Sequence, residues 1–224
     1  MVRAVKAEVG GDTRRRILGA ALEAFAEKGF DGSTTREIAA RADVTLGLLQ
    51  YYFGSKLKLW KASVDLAFAE LAGGLEGLLA DPGPSDERER LRLLIRSHVR
   101  FVARNPEFVR LMRDEGKRRG PRMRWLVDRH VKPLYERLTP MIRGCQQHGV
   151  LPAGVAPVHF VYILVGAIDA IFHQAEECKR VAGIDPADQE VVEAHAIAVE
   201  HLFLGPPLGN AAEGDASEEP GMQP

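Results

Sequence analysis

The chain has 224 residues, enough for one large or two small domains, and 46% of them are apolar, which permits a sizeable core. No run of 18 uncharged apolar residues occurs, the start lacks the apolar core of a signal peptide, and two cysteines (Cys145, Cys178) are too few for a disulfide framework; a reducing cytoplasm and no membrane are therefore expected. The net charge of −1 hides an asymmetry: residues 1–61 hold 11 Lys/Arg against 7 Asp/Glu, whereas residues 206–224 hold no Lys/Arg and 4 Asp/Glu.

Periodicity of three to four residues runs almost everywhere and strand-like alternation is nearly absent, so the fold is expected to be all-α. Residues 1–11 read as a loose arm carrying Arg3 and Lys6. A first helix is expected from an N-cap at Asp12 to Lys28, with Ile17, Leu18, Ala21, Leu22 and Phe25 as its apolar stripe and Gly29 as its left-handed stop. Arg14-Arg15-Arg16 fits either a phosphate clamp or a solvated helix face. Phe30-Asp31-Gly32 reads as a turn.

Thr34 and Glu37 then match a capping box, in which a Thr hydroxyl and a Glu three residues on satisfy the free amides of a helix start. Ile38, Ala39 and Ala42 follow at helical spacing. Ala39 is small enough for two helices to cross closely. Four residues later the turn needs a residue that tolerates positive φ, and Asp43 does so better than most. Thr45 can cap a second helix, Leu46 to Phe53, with Leu49 turned inward. Two short helices so joined form a helix-turn-helix, whose second helix enters the major groove of DNA.

These residues carry a resemblance. Arg16-Ile17-Leu18, Ala20-Ala21, Phe25, Lys28-Gly29-Phe30, Thr34-Thr35-Arg36-Glu37-Ile38-Ala39, Ala42-Asp43-Val44-Thr45, Gly47-Leu48-Leu49 and Tyr51-Tyr52-Phe53-Gly54-Ser55-Lys56 resemble, in order, the DNA-binding domain of the TetR/AcrR family of transcriptional regulators. Four positions depart from its usual pattern: Asp43 for Gly, Gln50 for Tyr, Tyr52 for His and Leu57 for Glu. Gln50 and Tyr52 sit near the DNA, so these departures bear on operator sequence rather than fold. The resemblance implies Thr35, Arg36, Thr45, Leu46, Gly47, Gln50, Tyr51, Tyr52 and Lys56 as DNA contacts. The chemistry suits those roles: Gly47 admits the groove backbone closely, Gln50 can pair both edges of adenine, and Leu46 can touch a thymine methyl. Hydroxyls, Arg36 and Lys56 suit phosphates, which fix register without reading sequence. The plainer reading, in which Tyr51 and Tyr52 only pack on the first helix, stands beside this for either one of them.

Beyond it, Ser55 caps a fourth helix carrying Leu57, Trp60, Val64, Phe68 and Leu71, expected to fray at Gly73-Gly74 and to end by Asp81-Pro82-Gly83-Pro84. The domain boundary falls at its start: 12–61 for DNA binding, 62–205 for a helical effector-binding and dimerisation domain, 206–224 for a disordered acidic tail. A fifth helix stops before Asn105-Pro106, a sixth runs from Pro106 to Glu115, and a seventh spans Met123 to His148 with a bend at Pro133 or Pro140. An eighth opens at Pro157 and a ninth at Pro186, reaching Leu204. The eighth is apolar nearly all round and must be covered on every side, which points to a second subunit over residues 157–204, with Ala167 and Ile168 at the contact. The family resemblance implies a four-helix dimer bundle there, and an effector pocket within the C-terminal interior.

Candidates for that pocket are Phe101, Phe108, Met112, Trp125, His130, Tyr135, Asp169 and His173; each is equally a core residue, and Asp169 and His173, four apart, can bond each other. Residues 110–124 hold seven Lys/Arg against two Asp/Glu, fitting a solvated turn or an anionic ligand. No catalytic motif is present, and His173, Glu176, Glu177 and Cys178 lack a second cluster at ligand spacing, so neither metal nor cofactor is expected. The expectation is a cytoplasmic homodimeric regulator, a repressor of a palindromic double-stranded operator released by an unknown small-molecule effector. The alternatives are an effector-free DNA-binding dimer, and a helical carrier or enzyme with a structural N-terminus.

Overall fold

The computed structural model describes residues 2–79 and 86–205, and these contain no strand. The helices are α1 (Val2–Gly32), α2 (Thr35–Arg41), α3 (Leu46–Phe53), α4 (Lys56–Leu79), α5 (Glu87–Arg104), α6 (Pro106–Gly116), α7 (Pro121–Leu126), a π turn over Val127–Val131, α8 (Lys132–Gln147), α9 (Pro157–His173), α10 (Ala175–Ala182) and α11 (Gln189–Leu204). The acidic tail and the Asp81–Pro84 stop lie outside the described residues.

The first three helices close on one apolar cluster. Ile17, Leu18, Ala21 and Phe25 of α1, Ile38 and Ala39 of α2, and Leu49 and Phe53 of α3 are all buried. Each large side chain among them gains about 1.5–3 kcal/mol from burial, enough to offset the ordering of two helices too short to stand alone. Charge ties the outside: Arg41 reaches back from α2 to Glu27 of α1 with two bonds of 2.9 and 2.8 Å, and Lys28 meets Glu37 at 2.6 Å. The Arg41 guanidinium holds the Glu27 carboxyl below its ordinary range.

Several elements differ from expectation for local physical reasons. Helix α1 starts at Val2, not at an Asp12 cap, because Ala, Lys, Glu and Arg in residues 2–8 propagate a helix readily. Gly29 (φ 70°, ψ 172°) kinks α1 instead of ending it, and Phe30–Gly32 continue beyond the kink. Helix α4 runs straight through Gly73-Gly74. Gly74 is there for contact: a Cβ on it would come within 3.1 Å of Ser97 Oγ, which donates to the Gly74 carbonyl at 2.9 Å. The π turn falls directly before Pro133, which has no N–H to give to a regular helix. Helix α10 was not foreseen, since it buries no residue and so leaves no core periodicity. Helix α11 begins at Gln189 because Asp185 turns the chain first, accepting from the Ala187 N–H at 2.9 Å and pairing with Lys179 at 3.0 Å.

In the C-terminal bundle, α5 is the central element, contacting α4, α8, α9 and α11. Three arginines one turn apart bind it to α11: Arg92 and Arg96 to the buried Glu200, and Arg100 to Glu193 through two 2.8 Å bonds. Helix α9 has two apolar faces. Phe160, Leu164, Ile168 and Phe172 are buried within the chain, whereas Tyr162 (70% exposed), Ile163 and Val165 look outward. Ile168, expected at a subunit contact, is fully enclosed in its own chain, and Ala167 is half-buried. Helix α11 also exposes apolar side chains, Ile197 on one flank of its buried face and Leu202, 80% exposed, on the other.

Candidate nucleic-acid interface

Helices α2 and α3 owe their placement to hydroxyl caps. Thr34 Oγ1 accepts from the Glu37 N–H at 3.1 Å, and Thr45 Oγ1 from the Leu48 N–H at 3.2 Å. Between the helices Asp43 takes φ 51°, the one non-glycine residue with positive φ among those described. Gly54 (φ 70°) ends α3, and Ser55 Oγ caps α4 by accepting from the Lys58 N–H at 3.2 Å.

With Leu49 and Phe53 anchored in the core, α3 presents its other side to solvent. Gly47, Gln50 and Tyr51 are exposed and Leu46 is half-buried. The tyrosines divide: Tyr51 is 83% exposed, while Tyr52 packs on the core, their rings meeting edge-to-face at 5.6 Å. Thr45 and Arg36 are exposed, Thr35 and Lys56 half-buried. Thr35, Gln50 and Lys56 converge on a concavity of about 340 Å³, together with Ser33, Thr34, Leu49, Gly54 and Ser55. The start of α4 borders it, so free helical amides and their dipole add to the Lys56 charge, an arrangement suited to phosphate. Thr34 and Ser55, which the sequence offers only as caps, also line this concavity.

Arg14 lies 5.7 Å over the Phe53 ring, and the three arginines of residues 14–16 are solvated. The cationic stretch 110–124 is mostly paired. Arg110 meets Glu107, Lys117 meets Asp114, Arg118 meets Asp31, and Arg122 meets both Asp31 and the buried Glu115.

Of the C-terminal candidates, the structure joins some into one file of rings. Phe101 meets Phe108 at 5.3 Å, Phe108 meets Phe68 at 5.1 Å, and Phe68 stacks on His130 at 4.3 Å. His130 meets Trp125 at 5.4 Å, Trp125 meets Trp60 at 5.5 Å, and Trp60 meets Phe30 at 6.4 Å. The file thus leads from the bundle interior to the DNA-binding unit. Met112 packs against the same core; Tyr135 is half-buried on α8, outside the file. Asp169 does not bond His173. Its Oδ1 faces His98 Nε2 of α5 at 3.7 Å, and both atoms, like His173 Nδ1, are buried without a hydrogen-bond partner. Burial, reinforced by Arg113 and Lys117, lowers the His173 pKa; burial also lowers that of His130 and outweighs the Asp65 carboxylate 2.9 Å away. Among the described residues no three His, Cys, Asp or Glu side chains are placed to hold a metal. No single helix there is long and apolar enough to cross a membrane, and the α9–α10 pair that would be is bent by 72°.

Residues 17–62 match the family profile "Bacterial regulatory proteins, tetR family", and residues 88–201 match "Tetracyclin repressor-like, C-terminal domain". The chain belongs to the TetR family. It is 27% identical to the HTH-type transcriptional repressor NicS of Pseudomonas putida over 168 residues, 73% of this chain and 77% of that one. To the HTH-type transcriptional regulator RutR of Escherichia coli it is 27% identical over 178 residues, 79% and 81% of the two chains. Two solved structures share its fold: AibR in complex with isovaleryl coenzyme A and operator DNA (TM-score 0.69, 20% identity, 87% of this chain and 99% of that one), and FadR from Bacillus subtilis in complex with stearoyl-CoA (0.64, 20%, 85% and 98%). This TetR-family protein is accordingly a DNA-binding transcriptional regulator, all-helical, with the helix-turn-helix on α2 and α3.

Proposed function

We propose that this regulator binds a palindromic operator as a homodimer in the cytoplasm, represses there, and is released by a small molecule bound within α5–α9. The carrying observation is α3: Leu49 and Phe53 lock it to the core while Gly47, Gln50 and Tyr51 stand clear on its other side. In this reading Gln50, with Leu46 beside it, reads bases, and Thr35, Arg36, Thr45, Tyr51, Tyr52 and Lys56 grip phosphates. The exposure of Tyr162, Ile163 and Val165 on α9, with Ile197 and Leu202 on the neighbouring α11, supports dimerisation through these helices, since so many large apolar side chains on two helices in contact need cover. A two-fold axis then sets the recognition helices one DNA turn apart, about 34–36 Å.

For the effector, the supporting observation is the buried, unpartnered set of His98 Nε2, Asp169 Oδ1 and His173 Nδ1, of which His98 stacks on Phe101 at 6.4 Å. Polar atoms left so in an apolar interior are costly unless something completes them. Domains 12–61 and 62–205 divide the labour, with α4 continuous between them. No enzymatic step is assigned. The test is fluorescence anisotropy with duplexes from the region upstream of its own gene, in the presence and absence of short- and long-chain acyl-CoA esters, the ligands held by the two fold neighbours. Saturable, salt-sensitive binding at one duplex supports the regulator reading; its loss with an acyl-CoA supports the effector class. Equal weak affinity for all duplexes refutes operator recognition.

A further inference from the structure

Phe30 sits where two cations of different origin meet. Lys56 Nζ of the DNA-binding unit lies 4.6 Å from its ring centroid, and the guanidinium carbon of Arg122, from the C-terminal bundle, lies 4.1 Å from it. Asp31 repeats the pattern. Its carbonyl accepts from Lys56 Nζ at 3.4 Å, while its carboxylate lies 3.3 Å from Arg118 Nη1 and 4.0 Å from Arg122 Nη2. The pair is held firmly. The Phe30 ring stacks on Phe25 at 5.8 Å and meets Trp60 edge-on. The Gly29 kink that brings the chain here is pinned by the buried Ser33, whose Oγ is 2.8 Å from the carbonyls of both Ala24 and Gly29.

We propose that Phe30 and Asp31 are positioning residues for operator binding: they hold the Lys56 ammonium ready for a backbone phosphate, and Arg118 keeps the Asp31 carboxylate from claiming it. The inference rests on the reading of Lys56 as a phosphate contact. A free lysine loses much rotamer freedom when it binds, and a side chain restrained beforehand loses less. The restraint must not cancel the charge. A ring face and a carbonyl dipole attract the ammonium and leave it cationic, whereas a carboxylate would neutralise it. Asp31 carries such a carboxylate on the same residue as the restraining carbonyl, and the arginines of the α6–α7 turn draw it the other way. The C-terminal bundle thereby reaches a DNA contact through one aspartate, and any shift of that turn changes how freely Lys56 meets phosphate.

The test measures affinity for the selected operator across a salt series. Lys56→Ala should cut the salt slope by about 1; if it does not, the phosphate reading of Lys56 fails, whatever the other variants do. Arg118→Gln is the probe of the proposal, because Arg118 is half-exposed, whereas Arg122 also holds the buried Glu115 at 3.2 Å. It should weaken binding about three- to five-fold at low salt, the scale of one partly screened unit charge nearby. Adding Asp31→Asn should restore wild-type affinity, and neither change should matter in a Lys56→Ala background. Phe30→Leu, which keeps the apolar contact to Phe25 and Trp60, should weaken binding about two- to five-fold with the slope unchanged. Wild-type affinity in Arg118→Gln, a loss that Asp31→Asn does not rescue, or a loss that persists without Lys56 would each overturn the positioning role.

Discussion

The α1–α3 unit and the α5–α11 bundle are built by opposite means. In the first, the decisive contacts span few residues: Thr34 to Glu37, Thr45 to Leu48, and Asp43 alone in its turn. In the second they span about a hundred: Arg96 to Glu200 and Arg100 to Glu193. The first leaves its polar side chains on the surface, where DNA can reach them. The second encloses His98, Asp169 and His173 and leaves an apolar strip outside. A unit that must offer one fixed surface to a rigid duplex gains from local determinism, because caps and turns set the direction of α3 and the core shared with α1 has only to hold it there. A bundle that dimerises and takes a ligand instead carries surfaces and buried atoms that its own chain does not complete.

The strongest way to break this comparison is at the strip. Ile163→Glu puts a charge into the expected dimer contact without a partner, a cost of several kcal/mol. The protein should become monomeric while keeping its helical content, and full-operator affinity should fall with it, since one recognition helix reads one half-site. Light scattering beside anisotropy decides: a folded monomer that still binds the full operator tightly removes the dimer from the mechanism. The same change at Ile168 would test only the core of one subunit, because that residue is fully buried there.

A narrower test falls on α3. Gln50→Ala should relax base choice at one position per half-site by about 1–3 kcal/mol, with little change elsewhere. Selection from randomised duplexes measures it, and an unaltered profile would leave Gln50 no reading role. The bundle has a pH counterpart. His130 and His173 are both held below the ordinary histidine pKa, chiefly by burial. Each is therefore neutral in the folded chain and gains its proton more readily unfolded, so stability is present above about pH 6.5 and is lost as pH falls below it. The thermal midpoint should drop between pH 7.5 and 5.5, and His130→Gln with His173→Gln should flatten the drop. An equal slope in that variant would place the titration elsewhere.

Legibility followed the same division. The Thr34 cap, the positive φ at position 43, the α3 span and the inward Leu49 could be read because each depends on neighbours within a few residues; the Glu37 half of the expected capping box could not, because its carboxylate goes to Lys28 and Arg41 instead. The exposed side of α3 followed from the inward one. Phe30 and Asp31, by contrast, read only as a turn, since their partners Arg118 and Arg122 stand about 90 positions away and no local pattern joins them. The outward strip on α9 was legible as a surplus of apolar residues but not as a direction. Composition showed that the helix needed cover on all sides, and only packing showed that Ile168 is covered by its own chain and Ile163 is not. Likewise the spacing lets Asp169 bond His173, whereas the group its Oδ1 faces, His98 Nε2, lies on another helix.

The gentlest test concerns the turn itself. Asp43 holds φ 51°, where an L side chain crowds its own carbonyl at a cost of roughly 1–2 kcal/mol, less for Asp, whose short polar side chain suits that region. Asp43→Gly removes the crowding and also loosens the unfolded chain, which takes back roughly 0.5–1 kcal/mol. The two nearly cancel, so the variant should be stable within about 1 kcal/mol of wild type and should bind operator unchanged, its side chain being no part of the concavity around Lys56. Asp43→Val loses the polar group that suits this region and branches the Cβ, the substitution least able to adopt positive φ. It should lose at least 1–2 kcal/mol, read as a lower urea midpoint at unchanged slope. The loss should fall on operator binding as well, because Val44, whose N–H bonds the Ala39 carbonyl at 3.0 Å, and then Thr45 follow from that turn to set the angle of α3. If Asp43→Val is as stable as Asp43→Gly, the turn does not depend on the left-handed residue. The local determinism argued for this half of the molecule would then lose its clearest instance.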